Sequence, residues 1–124
     1  MKKHAADCTA PGGYSCPVEA TIDIIGGKWK SVILFHLIDG KKRFNELRRL
    51  IPGVTQRMLT LQLRELERDG IVHREIYKQV PPKVEYCLTE FGKTLIPIIN
   101  QMMNWGMSHA GKIDEARRKS AAAE

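Results

Sequence analysis

The sequence predicts a mainly α domain carrying one small β-hairpin, a winged helix-turn-helix with an added helix at each end. Three observations predict it. Apolar residues recur at helical spacing through most of residues 16–111, with breaks at Gly26-Gly27, Asp39-Gly40, Pro52-Gly53 and Gly70. Two β-prone runs, Ile71–Tyr77 and Val84–Leu88, follow the last of these breaks. Charge is concentrated: between Lys41 and Arg74, nine lysines and arginines stand against four acidic residues, a net +5 within a chain of +6.

The 124 residues, 43% hydrophobic and 27% charged, suit one globular domain. A chain of this size buries roughly two-thirds of the surface its unfolded form exposes, so packing can stabilise it without a disulfide framework or structural metal. No run approaches the ~20 apolar residues of a membrane-spanning helix. The opening MKKHAADCTAPGG has lysines but no apolar segment behind them, unlike a secretory signal. Three cysteines, an odd number without close spacing, suit a reducing compartment, and the chain reads as cytoplasmic.

Residues 1–15, with Pro11, Gly12 and Gly13 and little apolar content, read as a flexible arm. Pro17 fits the first position of a short helix whose apolar members run from Val18 to Ile25. From Lys28 the density of Trp29, Val32, Ile33, Leu34, Phe35, Leu37 and Ile38 predicts a core helix buried round most of its circumference and ending at Asp39-Gly40. Phe44, Leu47, Leu50 and Ile51 form an amphipathic stripe on a third helix, which Pro52-Gly53 ends. Thr55 is a good cap for a fourth helix running to about Asp69, with Gly70 as its stop. At ~100° per residue, Leu59, Leu63 and Leu66 share one side while Arg57, Thr60, Leu61, Arg64 and Arg68 lie opposite.

The two strands then form a hairpin with a long, proline-bearing tip between Tyr77 and Val84, placed as a wing beside the helix-turn-helix. Thr89-Glu90 can open a last helix carrying Leu95, Ile98, Ile99, Met102, Met103, Trp105 and Met107, with Pro97 expected to bend it. This helix has more apolar surface than one subunit can bury, which predicts a second copy of the chain as partner. Residues 112–124, polar and alanine-rich, are expected to fray, leaving 16–111 as the DNA-binding and dimerisation domain.

Read in order, several short motifs resemble one family. They are Cys16-Pro17-Val18-Glu19, Ile25-Gly26-Gly27-Lys28-Trp29, Arg43-Phe44-Asn45-Glu46-Leu47, Thr55-Gln56-Arg57-Met58-Leu59-Thr60, Leu63-Arg64-Glu65-Leu66-Glu67-Arg68-Asp69-Gly70, Val84-Glu85-Tyr86 and Leu88-Thr89-Glu90-Phe91-Gly92. Singly weak, they are specific in this order and spacing, and over about residues 16–106 the chain resembles the HxlR-type winged helix-turn-helix transcriptional regulators of bacteria and archaea. The resemblance implies a homodimer, paired through its first and last helices, that binds double-stranded operator DNA. It also implies oxidant or electrophile sensing at Cys16 in some members.

A helix fits the major groove, and arginine can donate two hydrogen bonds to guanine O6 and N7. Gln56, Arg57, Thr60, Leu61 and Arg64 are therefore the candidate base-reading set, with Leu61 available to a thymine methyl. A solvated charged face is the competing reading, and the turn, the wing and the local charge weigh against it. Lys28, Lys30, Arg43, Arg49, Lys78 and Lys83 are candidates for phosphate contacts, which position a protein without reading sequence. Cys16, at a helix start, is the candidate redox-sensing thiol, with Cys8 and Cys87 as alternative partners. His4, Cys8, Cys16, His36, His73, Cys87 and His109 show no C-x-x-C and no paired histidines at helical separation, so neither a metal nor another cofactor is expected.

Trp29, Met102, Met103 and Trp105 could line an effector pocket, but apolar residues at helical spacing are more often core or interface, and no effector is assigned. No Ser/His/Asp order, paired acids or phosphate loop stands out, so an enzyme is not expected. The alternatives are a winged-helix protein-interaction module and a ligand- or metal-responsive regulator without thiol sensing. A protein-binding face would carry aromatic and apolar anchors. The fourth helix instead turns two arginines and a threonine outward.

Overall fold

The computed structural model describes residues 11–123, so His4, Cys8 and most of the predicted arm lie outside the described residues. After a short 3-10 turn at Pro11–Gly13, the chain forms helices α1 (Pro17–Ile25) and α2 (Lys30–Leu37), strand β1 (Lys42–Arg43), and helices α3 (Phe44–Leu50) and α4 (Gln56–Arg68). Strands β2 (Val72–Tyr77) and β3 (Lys83–Leu88) follow, then helices α5 (Glu90–Lys93) and α6 (Ile96–Ala123).

The capping and stop residues act at the positions they occupy in the sequence. Pro17 opens α1, where its missing N–H costs nothing. Thr55 Oγ1 accepts from the Met58 N–H at 3.1 Å, and Gly70, at φ 77°, takes the left-handed turn that stops α4. Leu59, Leu63 and Leu66 of α4 are buried against Ile33, Leu34 and Leu37 of α2, Leu47 of α3 and Val72 and Leu88 of the sheet, which together form one core.

The sheet has three strands in the order β1-β3-β2, all antiparallel. The hairpin follows from the two β-prone runs; the two-residue β1 does not, because so short a strand carries no periodicity. It is held by pairing Lys42 with Tyr86 and Arg43 with Glu85, which brings the start of α3 onto the wing.

Thr89 fastens the end of the helix-turn-helix to the C-terminal helices. Its N–H donates to the Ile71 carbonyl at 3.0 Å, and its hydroxyl donates to the Gly70 carbonyl at 2.6 Å while accepting from the Gly92 N–H at 2.8 Å. Gly92 lies buried against this strand end.

Two expectations are corrected. Pro97 does not bend a helix: the helix is interrupted between Lys93 and Ile96, and Pro97 falls in the first turn of α6, where an N–H has no intrahelical acceptor to lose. Residues 112–123, expected as a frayed tail, are helical and extend α6, supported by alanine and by the i,i+4 pairs Asp114–Arg118 and Glu115–Lys119. On α2, Val32 is 38% exposed and leaves one apolar strip open beside α6, while the other residues of the helix are buried or half-buried. Among the described residues no helix is long and apolar enough to cross a membrane.

Candidate nucleic-acid interface

Because α4 buries its leucine stripe, its opposite face must stand in solvent. Gln56, Arg57, Thr60, Leu61 and Arg64 line one shallow depression along that face. Leu61 is 52% exposed, too much for a residue whose role is packing. Thr60 is more constrained than its position suggests, since its hydroxyl proton is donated to the Gln56 carbonyl at 2.8 Å, leaving lone pairs as its outward chemistry.

The basic cluster divides once partners are known. Lys42, Arg68 and Arg74 are paired with Asp39 at 2.7 Å, Asp69 at 3.0 Å and Glu67 at 3.6 Å. The Lys42 ammonium, hydrogen-bonded to Asp39, holds that carboxyl below its ordinary value. Arg43, Arg49, Arg57 and Arg64 are exposed and make no ion pair among the described residues. The free positive charge therefore lies on α4 and α3 more than the bare count implies.

Beside α4, a second depression is lined by Thr60, Arg64, Glu67, Arg74 and Tyr86. Arg74 and Tyr86 are cross-strand partners on β2 and β3, so they extend the α4 surface onto the sheet. Burial, its largest cause, raises the Tyr86 phenol above its ordinary pKa and keeps it a neutral hydrogen-bonding group. Strand alternation can place both residues on one face, but not that face beside α4.

At the wing, Tyr77 gathers two cations. Lys41 donates to its hydroxyl at 3.2 Å, and the Lys83 ammonium sits 4.5 Å over its ring and 3.9 Å from Glu85. Lys78 stands exposed at the start of the tip, next to a fully open Val80. Lys28 is exposed with its ammonium 4.8 Å over the Trp29 ring. Lys30 departs from the expected set: it is 7% exposed and its ammonium lies 2.7 Å from Glu65 Oε1 on α4. A buried, paired ammonium is not offered to a phosphate, and helical spacing cannot reveal a partner so distant in sequence.

Cys16 is the N-cap of α1 and half-buried. Oxygen atoms do the capping around it: Glu19 Oε1 accepts the N–H groups of Ser15 at 2.9 Å and Cys16 at 3.0 Å. The Ser15 hydroxyl bond, followed by the Cys16 amide, holds the Glu19 carboxyl below its ordinary value. Cys87 pairs in register with His73 and lines a cleft with Lys41 and Lys93. No group of three histidine, cysteine or acidic side chains among the described residues is placed to hold a metal ion.

The family described as HxlR-like helix-turn-helix matches residues 24–114. The chain is 64% identical over 121 residues to the HTH-type transcriptional regulator YdeP of Bacillus subtilis, covering 96% of this chain and 94% of that protein. Among solved structures it is similar to the redox regulator HypR. The reduced form matches at 68% identity and a TM-score of 0.76, covering 80% of this chain and 98% of the other. The oxidised form matches at 73% identity and a TM-score of 0.74, over 75% and 96%.

Proposed function

This chain belongs to the HxlR-like helix-turn-helix family of transcriptional regulators, and on that premise we propose that it works as a homodimer on double-stranded operator DNA, with repression as the outcome. The observation that carries the reading is the outward face of α4, where Gln56, Arg57, Thr60, Leu61 and Arg64 share one surface while the opposite leucines are locked in the core. A groove-reading helix needs this division. The wing, with Lys78 exposed and Lys83 stacked on Tyr77, supplies backbone contacts at its flank.

Pairing of two copies is supported by unburied apolar side chains on the helices at the two ends of the chain. Val18 and Ile22 of α1 are 62% and 59% exposed, and Ile98, Met102, Met103 and Trp105 of α6 are each more than two-fifths exposed. A two-fold dimer requires a palindromic operator with half-sites about one helical turn, or a multiple of it, apart. With Lys28, Arg43, Arg49, Lys78 and Lys83 from each subunit near phosphates, affinity should fall about a hundred-thousandfold between ~50 and ~200 mM salt. A flat profile in a titration by fluorescence anisotropy would contradict the electrostatic assignment.

Thiol sensing at Cys16 rests on its place at the start of α1 and on the similarity to a protein described as a redox regulator. Oxidation would join its sulfur to a second thiol, two protons and two electrons passing to the oxidant. That bond would act through α1 on the spacing of the two α4 helices. The test is operator binding measured in reductant and again after a mild thiol oxidant, for the native protein and for Cys16→Ser. Sensing predicts a change that the serine variant loses; a variant that keeps the full response removes Cys16 from the mechanism. Binding indifferent to oxidant leaves a regulator without the switch.

A further inference from the structure

Lys30 is a costly residue on its own helix. It is the first residue of α2, where the helix macrodipole disfavours a cation, and its side chain is 9% exposed, where an ammonium loses most of its hydration. The compensation lies on another element: Glu65 Oε1, 2.7 Å away on α4, is the acidic group within ion-pair distance of it among the described residues. Glu65 follows Arg64 of the base-reading face and is flanked by the buried Leu63 and Leu66.

Those leucines fix which face of α4 turns inward, through contacts that individually carry little directionality. A 2.7 Å ion pair is directional and sets both the rotation and the axial position of the helix. We propose that Lys30 and Glu65 are positioning residues, a clamp between α2 and α4 that sets the pose in which Gln56, Arg57 and Arg64 meet base edges. This rests on the operator reading of α4. The pair also neutralises Glu65, which would otherwise set a negative charge beside Arg64.

The test compares the native protein with a neutral pair, Lys30→Met with Glu65→Gln, and a reversed pair, Lys30→Glu with Glu65→Lys. All three carry the same net charge. The probes are a duplex selected by the native protein from random-sequence DNA and a scrambled duplex of equal length. Folding is followed by circular dichroism, and hydrogen exchange is read at the amides of residues 56–68 in the free protein. A positioning role predicts that the neutral pair loses about tenfold in selectivity, the scale of one misplaced base contact. Binding to the scrambled duplex should not change, the reversed pair should recover selectivity, and α4 amides should exchange faster only in the neutral pair.

Native selectivity in the neutral pair overturns the proposal, as does a loss that the reversed pair fails to recover. A neutral pair that no longer folds assigns the contact to stability and overturns positioning too. Should the native protein select no duplex, the operator reading fails on its own account. The clamp is then judged by exchange alone, upheld if α4 loosens in the neutral pair and rejected if it does not.

Discussion

Arg57→Ala is expected to weaken operator binding by about 1–3 kcal/mol for each subunit that loses a bidentate contact to guanine, and to relax sequence preference at that base pair. Arg57 is the second residue of α4, and the first turn of a recognition helix approaches the base edges most directly. It is exposed and makes no ion pair among the described residues, so its removal leaves no buried group without a partner. The melting temperature should therefore stay within the small range typical of surface substitutions. Lys78→Ala is the informative contrast. A phosphate contact at the wing should lower affinity for all duplexes alike and flatten the salt dependence, leaving preference among sequences intact. Titration of both variants against the selected duplex and its single-base-pair changes separates the two roles. Unchanged affinity for Arg57→Ala would remove that residue from the base-reading set.

The largest effect on stability is expected at Gly92. A Cβ placed there would lie 2.1 Å from the Ile71 carbonyl oxygen and 3.1 Å from its carbon, atoms of backbone that cannot swing aside. The same carbonyl accepts the Thr89 N–H, and the Gly92 N–H is bound to the Thr89 hydroxyl, so both sides of the close approach are tied down. Gly92→Ala must part α5 from the strand entrance and break this clasp. It should cost about 3 kcal/mol, near the upper end for overpacking, and lower the melting temperature by about 10 °C at fixed protein concentration. Gly111→Ala provides a control of opposite sign. No atom lies within 4 Å of its added Cβ, and alanine inside an exposed helix should stabilise by roughly 0.5–1 kcal/mol. A Gly92→Ala protein that melts like the native one would show that the approach is not tight in solution.

Much of the α4 surface is legible in the order of residues alone. The 3.6-residue period divides a helix into faces whatever its neighbours do, so spacing sends Leu59, Leu63 and Leu66 inward and Arg57, Leu61 and Arg64 outward. Thr55 and Gly70 mark the ends of that helix because a cap and a left-handed stop act on bonds only a few residues away. Pro17 opens α1 for the same reason. Pro97 shows where local reasoning has two answers: proline bends a helix in mid-course and begins one at its start, and the apolar spacing runs past the break at Lys93–Ile96 without registering it.

What periodicity cannot supply are partners distant along the chain. In the sequence Lys30 is one more surface cation; the fold places Glu65, 35 residues further on, beside it, and brings Arg74 of β2 to Glu67 of α4. The pairing of β1 with β3 and the approach of Arg74 and Tyr86 to α4 belong to the same class. Face, cap and helix length depend on bonds within a turn or two, so the order of residues specifies them directly. Which charges stay available to a nucleic acid depends on distances between elements, and those are set only when the whole core has packed.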